Sequence, residues 1–186
     1  MIIFKQIRWR NFLSTGNHFT EIDFQKAQTN LIVGTNGTGK STVLDALTFS
    51  LFNKPFRKIT KSQLVNAANE KDCVVEIEFS TPNFDWKIVR GIKPNIFEIW
   101  KDDELLDQNS AMNDQQKWLE ENVLKLNYKS FTQIVVLGSA SFVPFMQLNA
   151  PNRREVIEDI LDIKIFSSMG LILRERVRST NERIRE

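Results

Sequence analysis

The sequence has a single cysteine, Cys73, and a single histidine, His18, among its 186 residues. One thiol can form no internal disulfide and supplies no cysteine-rich zinc site. Cys73 also lies in the apolar run Cys73-Val74-Val75, which suits a reducing cytosol. His18 falls in a turn with no cysteine or carboxylate at ligand spacing and reads as a surface residue. No stretch approaches the roughly 20 apolar residues of a membrane span. The opening Met1-Ile2-Ile3-Phe4-Lys5 meets a charge too soon for a secretory h-region, so a cytoplasmic protein is expected. An excess of one charge is also missing. Twenty-five Lys and Arg against 23 Asp and Glu leave a formal +2, too little to point to nucleic acid without clustering on one face. There are no internal repeats and no low-complexity segments.

What the chain does have is 41% hydrophobic residues, enough at this length to bury one core of ordinary size. Ile2 to Trp9 and Phe19 to Phe24 mix β-branched and aromatic residues with polar ones at near alternation, as half-buried strands do. Leu31-Ile32-Val33, a continuous apolar run ending at Gly34, predicts a buried central strand. Val43, Leu44, Leu47 and Leu51 then recur at helical spacing, with Pro55 as the stop. Cys73 to Phe79, Trp86 to Arg90 and Asn95 to Lys101 predict an antiparallel meander broken at Thr81-Pro82-Asn83, Gly91 and Asp102-Asp103. Ala111 to Leu126 is helical in composition, with Trp118, Leu119 and Val123 on one face, and Ile134 to Leu137 before Gly138 predicts a second buried strand.

Asn149-Ala150-Pro151 opens a helix, since proline is tolerated in a first turn. From there only Gly170 interrupts the helical pattern. Val156, Ile160, Ile163, Phe166, Leu171, Leu173, Val177 and Ile184 form an apolar stripe that thins as Arg174, Glu175, Arg176 and Arg178 take over. That is the pattern of a helix leaving a globular head as a coiled-coil arm. Trp9, Trp86, Trp100 and Trp118 occupy strand and helix positions and read as packing residues. Asp45 and Asp159 fall on helices without a second carboxylate suitably spaced, so capping or solvation is expected of them.

Gly34-Thr35-Asn36-Gly37-Thr38-Gly39-Lys40-Ser41 matches G-x-x-x-x-G-K-[ST] at every position. A glycine-rich bend between an apolar strand and a helix lets successive backbone N–H groups and the helix N-terminus converge on an anion. The pattern therefore predicts a nucleotide triphosphate site for ATP with Mg²⁺. Lys40 would reach the β- and γ-phosphates, Ser41 would ligate Mg²⁺, the Thr42 hydroxyl would lie near the α-phosphate and Asn36 would hydrogen-bond the phosphate chain. Gly34, Gly37, Thr38 and Gly39 complete the cradle. By itself the loop does not separate a kinase, a switch GTPase and an ATPase.

Several stretches together resemble the SbcC family of SMC-like ABC ATPases. They are Ile7 to Ser14, the phosphate loop, Asp45-Ala46 with Leu51-Phe52, Gly91 to Ile99, and Ser130-Phe131-Thr132-Gln133-Ile134-Val135-Val136-Leu137-Gly138, followed by Phe142-Val143-Pro144-Phe145-Met146. The last pair is most similar to bacteriophage recombination proteins of this family, and the similarity runs from end to end. The resemblance implies an α/β fold, an ABC-ATPase N-terminal lobe over residues 1–150 with its coiled-coil root over 151–186. It implies that Gln133 is the Q-loop glutamine, touching Mg²⁺ and the attacking water, and that Asn66 lies near the nucleotide. Family members often carry a phosphate-contacting basic residue where this chain has Leu13, so that contact is absent here or taken by Arg10.

The sequence contains no LSGG-like signature and no apolar run ending in Asp-Glu. In the family those elements, including the carboxylates that hold Mg²⁺ and activate water, belong to a C-terminal lobe beyond the coiled coil. The implied partners are that lobe, a second head forming a homodimer, an SbcD-type nuclease and double-stranded DNA, with no membrane. Lys54, Arg57, Lys58, Lys61, Arg153 and Arg154 are candidates for DNA phosphates, and a solvated basic surface explains them equally well. Other readings are an SMC-type DNA-tethering ATPase without a nuclease, an ABC transporter ATPase and a small-molecule P-loop kinase. The last two are disfavoured by the charged arm and by the lack of a candidate substrate lid.

Overall fold

A computed structural model describes residues 2–107, 112–137, 144–161 and 163–185. Ala111, Gly138 and the pair Phe142-Val143, which figure in the sequence reading, lie outside the described residues. The chain divides into two compact units, one up to Leu124 and one from Lys125 onward.

The first unit is built on an antiparallel sheet. Its strands are β1 (Ile3–Arg10), β2 (Thr20–Asp23), β3 (Cys73–Ser80), β4 (Asp85–Ile92), β5 (Ile96–Lys101) and β6 (Glu104–Leu105), in the order β2-β1-β3-β4-β5-β6. The alternation seen in the sequence becomes cross-strand rows. Ile7 pairs with Ile77, Ile77 with Ile88 and Ile88 with Ile99, all buried. A second row runs Trp9, Val75, Arg90, Phe97 on the same face. The opposite side of the pleat carries Arg8, Glu76, Lys87 and Glu98, so a one-residue slip would bury the charges.

Against the apolar face lies α1 (Thr42–Phe52), in contact with β1, β3 and β4. Nearly every residue of α1 is buried, polar ones included, which is why its sequence shows no strong polar face. Buried Thr48 and Ser50 satisfy their hydroxyls on the helix's own carbonyls, at 2.9 Å from Leu44 O and from Leu47 O respectively. The helix stops at Asn53, which takes a left-handed conformation (φ 58°) and donates its N–H to Phe49 O, with Pro55 just beyond. Arg90, buried in the sheet row, donates Nε to Ser50 O at 3.0 Å and so satisfies a carbonyl at the end of α1. Its Nη2 meets Gln116 Oε1 at 2.6 Å, and Gln116 Nε2 reaches Leu51 O and Glu120. Gln116 belongs to α2 (Met112–Trp118), which widens into a π-helical segment over Leu119–Leu124 where Leu119, Val123 and Leu124 are buried. Trp118 does not join them; it is 40% exposed and leans on Trp86.

Two expected strands are absent. Leu31, Ile32 and Val33 lie in no strand and are 86%, 46% and 80% exposed. An all-apolar strand needs neighbours on its edges and cover on both faces, and no described strand pairs with this run. The stretch from Ile134 to Leu137 is likewise not a strand. Asn127 accepts a hydrogen bond from Ser130 N at 2.9 Å and starts α3 (Tyr128–Ile134), so Ile134 becomes the last helical residue, and no described strand pairs with Val135 to Leu137.

In the second unit α3 packs on α4 (Ala150–Ile160), whose N-cap is Asn149 and whose first turn holds Pro151. Asp159 is buried and accepts from Ser130 Oγ, while Lys129 and Asn127 both reach Glu155. Burial and a hydroxyl partner thus replace the solvation expected of Asp159. After a break at Leu161, α5 (Lys164–Arg185) runs for 22 residues, about 33 Å at 1.5 Å per residue. Phe166, Leu173, Val177 and Ile184 recur along it at coiled-coil spacing and are exposed.

Candidate functional site

The phosphate loop joins β2 to α1. Gly37 and Gly39 take φ of 92° and 90°, a left-handed conformation that side chains with a Cβ rarely adopt. The loop curls around the Lys40 ammonium, which donates to Gly34 O at 2.6 Å and Thr35 O at 2.7 Å. Thr38 closes the bend by donating Oγ1 to Thr35 O at 2.9 Å, and a Cβ on Gly34 would stand only 2.7 Å from that hydroxyl. Ser41 is the N-cap of α1, yet its side chain caps nothing and is exposed. Its hydroxyl is thereby left for a ligand. Thr42, the first helical residue, is buried and donates its backbone N–H to Gly39 O.

The loop forms one wall of an open cleft of about 510 Å³, a volume in the range of small-ligand sites. Asn36, Gly37, Gly39, Lys40, Ser41 and Thr42 line it on one side. Leu13, Ser14, Arg57, Gln63, Val65 and Ala67 complete it. The second group is held by local backbone chemistry. Asn11 and Leu13 have positive φ and make a tight turn after β1, and Leu13 N donates to Leu64 O at 2.7 Å. A capping box in which Thr60 N donates to Gln63 Oε1 at 2.7 Å starts a 3-10 turn over Lys61–Leu64.

Asn66 ties these segments together. Its Nδ2 donates to Leu13 O at 2.9 Å, and its Oδ1 accepts from Ala68 N and Asn69 N, so both ends of the amide are engaged by backbone. Arg10 does not line the cleft; its guanidinium stacks 5.1 Å from the Phe19 ring beside that of Arg8, and its Nε is buried without a hydrogen bond among the described residues. Gln133 lies on α3 in the second unit, where its Oε1 is buried and accepts no hydrogen bond among the described residues.

Asp45 is not solvated. Its carboxylate is fully buried and accepts from Arg57 Nε at 2.6 Å and from Arg57 N at 3.0 Å. Ser14, Gln63 and Arg57 were not legible as cleft residues, although the Thr60-x-x-Gln63 pattern is a recognisable capping box. Nothing in the spacing of Asp45 and Arg57 marks them as a pair. Of the other basic candidates, Lys54, Lys58 and Arg154 are exposed. Lys61 lies 5.8 Å from the Phe49 ring, with its pKa lowered by burial and then by Arg90. Arg153 donates to Leu148 O at 2.7 Å.

Magnesium requires about six oxygen ligands and usually takes only one or two from protein when a phosphate chain supplies others. Among the described residues no group of three or more His, Cys, Asp or Glu is placed to hold a metal. Ser41 Oγ fits the role of a single protein ligand completed by phosphate oxygens and water.

The AAA domain family matches residues 6–175. The chain belongs to that family, in its SbcC- and Rad50-like branch. It is 42% identical over 176 residues to "Exonuclease subunit 2" of Escherichia phage RB69, an alignment covering 95% of this chain and 31% of that protein. It is 28% identical to the DNA double-strand break repair Rad50 ATPase of Thermoplasma volcanium, over 94% of this chain and 19% of the relative. It is 25% identical to the SbcC component of the nuclease SbcCD of Staphylococcus aureus, over 88% and 18%. The AAA-domain chain thus spans a third or less of the length of these relatives. In fold it is like the Smc head domain with an extended coiled coil from Pyrococcus furiosus, with a TM-score of 0.62 at 22% identity, covering 98% of this chain and 47% of that one.

Proposed function

We propose that this chain is the N-terminal lobe of the ATP-binding and ATP-hydrolysing head of a DNA repair and recombination nuclease complex. The observation that carries the reading is the loop itself: two left-handed glycines, an ammonium enclosed by the bend and an uncommitted Ser41 hydroxyl, all opening on one cleft. Loop amides and Lys40 hold the triphosphate of ATP, Ser41 offers Mg²⁺ its protein ligand, and Asn36, Thr38 and Thr42 border the phosphate chain. Bound Mg²⁺ would supply charge neutralisation between phosphate oxygens. Arg57 adds a second cation across the cleft from Lys40. Gln133 would act on the attacking water and on Mg²⁺, a role that its resemblance to the Q-loop glutamine supports. Asn66 shapes the nucleotide wall through Leu13.

In this reading residues 1–150 are the head lobe and 151–186 the root of a coiled-coil arm. A C-terminal lobe supplies the carboxylates that activate water, and a second head closes on the γ-phosphate. ATP joins the heads and hydrolysis releases them. A swing from mostly open to mostly closed requires ATP to favour the closed form by about 5 kcal/mol. The closed pair presents double-stranded DNA to a partner nuclease in the cytoplasm. Lys54, Lys58 and Arg154 are exposed candidates for its phosphates outside the cleft, so affinity should fall steeply with salt. No described helix is long and apolar enough to cross a membrane.

Calorimetry with ATP and Mg²⁺ on the full-length protein tests the reading. Saturable binding that Lys40→Ala abolishes, together with nucleotide-dependent head association, supports it; no binding by a folded sample overturns it. The likeness to Smc heads favours a second reading, a DNA-tethering ATPase without a nuclease. Co-purification of a nuclease bound at the arm root decides against that alternative.

A further inference from the structure

Asp45 sits one turn into α1, and its side chain has no exposed surface. A carboxylate withdrawn from water is costly unless it is fully bonded. Both bonds that hold it come from one residue, through Arg57 Nε and the Arg57 backbone N–H. This is not the fork in which two terminal guanidinium nitrogens meet two carboxylate oxygens. Asp45 instead grips Arg57 at the root of the guanidinium and at its main chain. The two Nη groups make no hydrogen bond among the described residues, and the side chain, 45% exposed, lines the phosphate cleft.

The same helix that carries Asp45 begins at Thr42 and follows directly on Lys40 and Ser41. The grip therefore ties Arg57, twelve residues away in an exposed loop, to the rigid element that sets the phosphate loop. We infer that Asp45 is a positioning residue of the nucleotide site, holding Arg57 as a second cationic wall with its terminal nitrogens free for phosphate. The inference rests on the nucleotide reading above and adds to it the group that fixes the cleft's far side. A surface arginine left to itself would spend its freedom among many rotamers and would lose affinity to ordering on each binding event. Anchoring by Asp45 removes that loss in advance.

The test is a double-mutant cycle in the full-length protein, read as affinity for a fluorescent ATP analogue with Mg²⁺ and as thermal midpoint without nucleotide. Arg57→Gln should weaken binding at least about tenfold, the effect of one charge-assisted contact. Asp45→Asn should weaken it by several-fold, and the double variant should match Arg57→Gln alone because Asp45 acts only through Arg57. Arg57→Lys should not rescue, since lysine has no Nε for the carboxylate and a single terminal donor group. Effects that multiply in the double variant would overturn the inference. So would single variants that lower the midpoint yet bind the analogue within about twofold of native, because that is what a purely structural pair does. If Asp45→Asn does not fold, Asp45→Glu takes its place in the cycle, and Arg57→Gln, on an exposed side chain, still tests the cleft. Failure of the native protein to bind the analogue would instead remove the nucleotide reading itself, an outcome distinct from a native protein that binds and variants that bind equally well.

Discussion

Replacing Arg90 by alanine should destabilise the first unit by about 3 kcal/mol. The side chain is 3% exposed and donates to Ser50 O at 3.0 Å and to Gln116 Oε1 at 2.6 Å, with the guanidinium 3.8 Å from the Phe97 ring. Each charge-assisted bond contributes roughly 1.5–3 kcal/mol, and a desolvated cation–π contact about 2 kcal/mol. Against this stands burial, which pushes the guanidinium pKa down to about 9 although nearby Glu120 raises it. Truncation relieves that burial cost but strands the Ser50 carbonyl at the end of α1 and an oxygen of Gln116, so the net effect stays unfavourable. For a chain of this size about 3 kcal/mol is roughly 6–12 °C in Tm. All four tryptophans lie in the first unit, so their fluorescence during heating or urea unfolding reports on it alone. A loss below about 1 kcal/mol, or an Arg90→Met variant as stable as the native protein, would refute the reasoning by showing that the burial cost outweighs the bonds.

Burial pushes the Cys73 thiol up to about 12 from an ordinary value of 9.0. The unfolded chain gives up this proton first, so the associated stability is complete below pH 9 and is lost as pH rises from 9 toward 12, at about 1.4 kcal/mol per pH unit. Urea titrations of native and Cys73→Ala protein should converge over that window, and parallel pH profiles would contradict the assignment. Gly39→Ala should impair ATP binding more than Gly37→Ala. Both have positive φ, but only at Gly39 would the new Cβ also press on Thr42 Oγ1, at 3.3 Å; calorimetry of the two variants is the comparison, and equal affinities would count against the packing argument. Ser130→Ala removes the hydroxyl bonded to buried Asp159 and should cost about 1–2 kcal/mol. Faster amide exchange in α3 and α4 is the expected signature, and unchanged protection would show the pair to be dispensable.

The chemistry of the phosphate loop was legible in the chain because it is local. Two glycines, a lysine and a hydroxyl at fixed offsets define the bend whatever surrounds it. The meander and β1 were legible for a similar reason: period-two alternation reports a sheet with one covered face, and the cross-strand row of Ile7, Ile77, Ile88 and Ile99 is its realisation. The helix start at Asn149 and the stop at Asn53 to Pro55 follow from capping and proline sterics within a few residues.

What the sequence misrepresented depended on neighbours. An apolar run such as Leu31 to Val33 states only that something should cover it, and among the described residues no strand does. Ile134 to Leu137 had the composition of a strand, but Ile134 closes the helix that the Asn127 cap starts, and no described strand pairs with the three residues after it. The far wall of the cleft was invisible for the same cause. Ser14, Arg57 and Gln63 come from three segments, and only folding brings them opposite Lys40. Sequence alone therefore determined the phosphate loop, because its bend is set by short-range backbone geometry. The tertiary structure decided which buried charges find partners, Asp45 on Arg57 and Arg90 on Ser50, because desolvation is set by what packs around a group and not by its place in the chain.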